Sequence, residues 1–166
     1  MKISSSALLL SFSIVAVSLV APQHIGTGSC APADACFDNH GVIGDRSCRD
    51  GTNHLCAYNY GAIGDASCHG ESACQNNTEN GNIGVGDGNL GACYGDFSCK
   101  KNEGSIGFYS CIGENSCPNN EGTIGKQACY GVSACENNKG TIDDGCCKWN
   151  ETWVDACNNN EGHITC

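Results

Sequence analysis

The chain has 166 residues, a formal charge of −10, sixteen cysteines and twenty-three glycines. So acidic a balance argues against nucleic acid or an anionic membrane surface as a partner. One methionine, two tryptophans and four phenylalanines are too few for a wide apolar core, so a fold of this composition needs covalent staples.

Met1-Lys2 gives a short basic start to an apolar, serine-rich run from Ile3 to Val20. Small residues around Ser18 and Ala21 suit signal peptidase, so residues 1–21 read as a signal peptide and 22–166 as one mature domain. Six serines interrupt the run and weaken it as a spanning helix, and no later stretch is apolar enough to cross a bilayer. Secretion into an oxidising, extracellular setting is therefore expected, and there an even set of cysteines is a disulfide framework. Cys-x-x-Cys is absent and the histidines (His24, His40, His54, His69, His163) are scattered, so neither a metal site nor another cofactor is expected.

From Cys93 onward the chain repeats every 18 residues. Cys93, Cys111, Cys129 and Cys147 form one series, and Cys99, Cys117 and Cys135 follow six residues behind. In consensus a coil reads I-G-x-x-[S/A]-C, x-G-x-x-[S/A]-C, x-x-N-x-G-x. An isoleucine column runs Ile43, Ile63, Ile83, Ile106, Ile124, Ile142, Ile164, with a glycine two residues before each. An asparagine column runs Asn39, Asn59, Asn77, Asn102, Asn120, Asn138, Asn160. Such a repeat predicts an all-β solenoid of about seven roughly 18-residue triangular coils with three short strands each, the first coil beginning near Cys30. Isoleucine is expected inside, and the columnar Gly and Asn at corners where φ is positive, Asn with the further option of bonding from coil to coil.

Departures from the period fall in Arg49 to Leu55, around Thr78-Glu79, in Val85 to Leu90 with its Gly-Asp-Gly-Asn turn, and in Lys148 to Ala156. Two glycosylation sequons, at Asn76 and Asn150, sit in or beside these insertions, where a sugar is tolerated. Trp149 and Trp153, with Cys146 and Cys166, are expected to cap the C-terminal end.

Two bridge patterns are open. Within coils, Cys30–Cys36, Cys48–Cys56, Cys68–Cys74, Cys93–Cys99, Cys111–Cys117, Cys129–Cys135 and Cys147–Cys157 would pair and leave Cys146 with Cys166. Along columns, cysteines of successive coils would pair, since neighbouring strands bring them to a bridging separation. The first is favoured because it uses every cysteine and because insertions then only enlarge a loop.

The Cys-x5-Cys element in every coil, with Ser or Ala before Cys, resembles the disulfide-stapled β-solenoids of insect hyperactive antifreeze proteins, whose coils are shorter. The Ile-Gly-x-x-[Ser/Ala] step is similar to the hexapeptide repeat of left-handed β-helices, and the whole mature chain resembles uncharacterised secreted Cys/Gly/Asn repeat proteins of microalgae. The antifreeze likeness implies a hydroxyl face. The position before each isoleucine offers Ser105, Thr123 and Thr141 as a candidate surface-binding strip, one residue wide and without a second hydroxyl column beside it. The acids Glu71, Asp96 and Glu114, and separately Glu103, Glu121 and Glu161, recur in columns that offer calcium a place or simply a solvated face. No spacing suggests a catalytic set, and an enzyme is not expected. The expectation is a non-enzymatic structural or adhesive module facing an extracellular matrix, a cell surface or a polymer, with ice binding as the alternative and calcium binding behind it.

Overall fold

The computed structural model describes residues 23–85, 91–148 and 157–166. The expected signal peptide, the Gly-Asp-Gly-Asn turn, the sequon at Asn150 and the Trp149/Trp153 cap lie outside the described residues.

Each coil contributes one two-residue strand, an exposed or half-exposed residue followed by isoleucine. In chain order these are β1 (His24–Ile25), β2 (Val42–Ile43), β3 (Ala62–Ile63), β4 (Asn82–Ile83), β5 (Ser105–Ile106), β6 (Thr123–Ile124), β7 (Thr141–Ile142) and β8 (His163–Ile164). They stack in sequence order as one parallel eight-stranded sheet. Isoleucine pairs with isoleucine at every step from Ile25↔Ile43 to Ile142↔Ile164. The fold is thus an all-β solenoid. Its first coil begins a few residues before Cys30, at β1, since Ile25 stands to Cys30 as Ile43 stands to Cys48.

The alternation of strand side chains explains the inner column. Ile43, Ile63, Ile83, Ile124 and Ile142 are sealed from solvent, each burial worth about 1.5–3 kcal/mol. Backbone bonds continue beyond the strands, as in Gly44 N to Ile63 O and Gly107 N to Ile124 O, both 2.8 Å.

The expected three strands per coil are not what forms. A second side holds only single bridges, running Arg49, His69, Tyr94, Ile112, Tyr130, Lys148. The third is built from turns. The reason is backbone handedness. The first cysteine of every coil is left-handed, with φ of 57–65° from Cys30 to Cys147. So is the residue before each columnar asparagine: Asp38, Tyr58, Asn76, Lys101, Asn119, Asn137 and Asn159, with φ of 54–62°. Left-handed corners turn the chain too often for a second strand, at a cost of about 1–2 kcal/mol for each non-glycine residue.

The columnar glycines and asparagines therefore have other roles than the corners expected of them. Gly104 and Gly122 are not left-handed; a Cβ on either would run into the carbonyl oxygen of the next coil's columnar glycine. Each columnar asparagine after Asn39 donates one amide proton to the asparagine Oδ1 of the preceding coil. Bonds of 2.8–3.0 Å link Asn59 to Asn39 and continue unbroken to Asn160 on Asn138. The other proton goes to the carbonyl of the nearby columnar glycine, as in Asn102 to Gly104 O at 2.9 Å.

The bridges lie within coils: Cys30–Cys36, Cys48–Cys56, Cys68–Cys74, Cys93–Cys99, Cys111–Cys117, Cys129–Cys135 and Cys147–Cys157, with Cα atoms 5.4–5.8 Å apart. A Cys-x5-Cys loop contributes roughly 2–2.5 kcal/mol by loop closure. Cys146 replaces the small residue that precedes the first cysteine elsewhere, and its bridge to Cys166 ties one coil to the next. No cysteine is free. Sulfur, isoleucine and asparagine together fill an interior that aliphatic side chains alone would leave empty.

Candidate binding surfaces

The recurring Ile, Asn and Cys side chains point inward, so the surface is made by the outer columns. Ser105, Thr123 and Thr141 occupy the exposed position of β5, β6 and β7 and are paired in register, Ser105↔Thr123 and Thr123↔Thr141. The strip is flanked two residues upstream by exposed Glu103, Glu121 and Lys139. On its other side lies a shallow groove that also takes in Val85, Lys126 and Asp144. The hydroxyl strip is thus a single file between charged neighbours, ending at Asn82 on one side and His163 on the other.

The acid columns separate into two kinds. Asp96 accepts the backbone N–H of Glu71 through Oδ1 at 2.7 Å. Asp45, Asp65 and Asp144 do the same for Thr27, Asp45 and Lys126, at 2.7, 2.9 and 2.7 Å. These carboxylates satisfy amides at corners where no carbonyl of the next coil faces them, so they serve the stack. Glu103, Glu121 and Glu161 stay exposed. Among the described residues, the sets of three close potential metal ligands consist only of cysteines held in bridges, such as Cys117, Cys129 and Cys135. Disulfide sulfur offers no thiolate, and among the described residues no three carboxylates converge.

A feature the sequence reading missed lies on the turn side of the first coils. Phe37 and Tyr58 meet edge to face with centroids 5.7 Å apart. His40 stacks on Tyr60 at 5.0 Å, and its Nε2 lies 3.0 Å from Asp38 Oδ1. Phe37 is 54% exposed and Tyr60 48%, so these rings form an open apolar platform. A second aromatic pair, His69 on Tyr94 at 4.8 Å, lines the bridge column, where the Tyr94 hydroxyl donates to Ala66 O at 2.7 Å. Counting from the second cysteine of each coil would have found the platform. Its residues fall one, two and four places after Cys36 and Cys56.

Asn76 sits at a half-exposed left-handed corner beside that platform. The same column ends in a second, outer asparagine ladder: Asn119 donates to Asn137 at 3.0 Å and Asn137 to Asn159 at 3.1 Å. Among the described residues no helix is long and apolar enough to cross a membrane.

No curated protein and no solved structure matches the chain. A family described as a domain of unknown function, DUF7640, matches over residues 79–166, just over half of the chain, and the chain belongs to that family.

Proposed function

We propose that the protein is a secreted, non-catalytic solenoid that acts as a rigid structural or adhesive module toward an extracellular matrix, a cell surface or a polymer. The observation that carries this reading is the pairing of all sixteen cysteines in bridges with none left free, which an oxidising compartment allows and a reducing one does not. The inner columns are committed to the stack, so the partner meets the outer columns, whose composition changes along the solenoid. The test is to follow the tagged full chain in its source organism. Recovery outside the cell, processed near Ala21 and held by the wall or matrix fraction, supports the reading; an intracellular pool with reduced thiols rejects it.

One observation favours a second reading. The register-paired hydroxyls of Ser105, Thr123 and Thr141 present a regular strip of the kind an ice-binding face uses. Thermal hysteresis that disappears in Thr123→Tyr would support ice as the partner, and no hysteresis at millimolar protein would remove it.

A further inference from the structure

The aromatic platform and the sequon at Asn76 are neighbours in the stack. Backbone bonds align one turn-side column: Tyr58 N to Phe37 O at 2.9 Å, Asn76 N to Ala57 O at 3.0 Å, Lys101 N to Gln75 O at 2.8 Å. Every residue of this column is left-handed, so equivalent side chains leave equivalent corners. Asn76 therefore stands one strand spacing, about 4.8 Å, from Tyr58.

Four asparagines occupy the column. Asn119, Asn137 and Asn159 tie their amides to one another. Asn76, between Tyr58 and Lys101, makes no side-chain hydrogen bond among the described residues. Asn159 accepts at the end of that ladder and also donates to nothing among the described residues, but of these asparagines only Asn76 begins an Asn-x-Thr sequon with its amide nitrogen left for a substituent.

Thr78 points the same way. Its hydroxyl is buried with no partner. Ser98 and Ser116 share that condition, but their column is sealed and carries Ala35, Ala73, Ala134 and in one coil Leu55, so interior packing accounts for them. At the position of Thr78 other coils carry His40, Tyr60, Glu103 and Glu121, so packing does not demand a small hydroxyl residue there. A glycosyltransferase reading Asn-x-Thr does demand one, and it has to act before this coil closes over the hydroxyl.

We propose that Asn76 carries an N-linked glycan whose first N-acetylglucosamine ring lies against Tyr58, at the edge of the Phe37/Tyr60 platform. The proposal rests on the secreted reading above. The C–H face of a pyranose is apolar and weakly positive, which matches the negative face of an aromatic ring. Such a contact is weak for a free sugar. A sugar tethered one coil away meets the ring at an effective concentration of the order of millimolar, which favours this occupant over a diffusing carbohydrate.

The full chain, in an Asn150→Gln background, is made in eukaryotic secretory cells and trimmed to a single N-acetylglucosamine. Proton NMR then compares that sugar on the folded protein with the same sugar on the reduced, unfolded chain. The expected result is an upfield ring-current shift of the sugar protons with contacts to Tyr58, kept in Tyr58→Phe and lost in Tyr58→Ala. Two outcomes overturn the proposal alone: a secreted, fully bridged protein with Asn76 unmodified, or an occupied Asn76 whose sugar keeps its unfolded-chain shifts. Retention in the cell with free thiols would instead remove the secreted reading beneath it.

Discussion

The side-chain amide of Asn138 donates to Asn120 Oδ1 at 2.8 Å across a coil boundary, and neither residue reaches solvent. Asn120 in turn donates to Asn102 Oδ1 at 2.9 Å and to Gly122 O at 3.1 Å. Every amide in the middle of the ladder is used, so removing one strands its neighbours.

Asn120→Ala leaves an Asn138 donor and the Asn102 Oδ1 acceptor buried without partners, while Gly122 O keeps the Ser105 N–H. Each such group costs about 1–3 kcal/mol. A clear fall in the guanidinium midpoint is expected, while Asn137→Ala in the outer ladder moves it little because water replaces the lost bonds. Equal effects would contradict the buried ladder.

Ser116→Ala should act in the opposite direction. The Ser116 hydroxyl is buried without a partner, and Ala134 already occupies this column in the next coil. Removing the unpaired hydroxyl is expected to raise stability by about 1 kcal/mol. A loss, measured by the same denaturation, would mean that the hydroxyl has a partner in solution.

Gly122→Ala tests coil spacing and not backbone freedom, since this glycine is not left-handed. A methyl group there meets the Gly140 carbonyl, so adjacent coils must separate, at about 1–3 kcal/mol for overpacking. Amide exchange should speed up locally, at Thr123 and Gly125, which donate to the next coil. Unchanged protection would put the coils further apart than described.

Stability should fall in alkaline solution. Burial, and then the neighbouring Tyr109, raise the Tyr94 phenol above its ordinary 10.0. A group with a raised folded-state value holds its proton more tightly in the folded chain. Its contribution is complete below pH 10 and is lost as pH rises through the folded-state value. Ionisation also removes the donor to Ala66 O. Tyr94→Phe should flatten that decline in a melting series run upward from pH 9; an unaltered slope would assign the loss elsewhere.

The isoleucine and asparagine columns were legible because the same consensus residues recur in every coil, 18 residues apart from Ile106 to Ile142 and further apart only where insertions fall. Handedness was not. Tyr58, Lys101, Tyr109 and Gln127 adopt positive φ although none is a residue that signals it, because the stack imposes the corner and the bridges hold it. Three strands were therefore expected where one strand, a row of bridges and a run of turns formed. Bridge pairing stayed open for a related reason: Cα separations suitable for a disulfide occur both within a coil and between coils, and spacing alone does not choose. Of the candidate sites, the hydroxyl strip could be read from the residue before each isoleucine. The aromatic platform needed the coil register, since Phe37, His40, Tyr58 and Tyr60 follow no consensus position.

Peptide mapping of the unreduced, secreted protein bears most directly on the in-register solenoid. Digestion that separates successive coils should recover Cys111–Cys117 and Cys129–Cys135 as short closed loops, with Cys146 joined to Cys166. Cys111 joined to Cys129, or Cys117 to Cys135, would contradict the account, because those cysteines would then be linked along the stack and not across it.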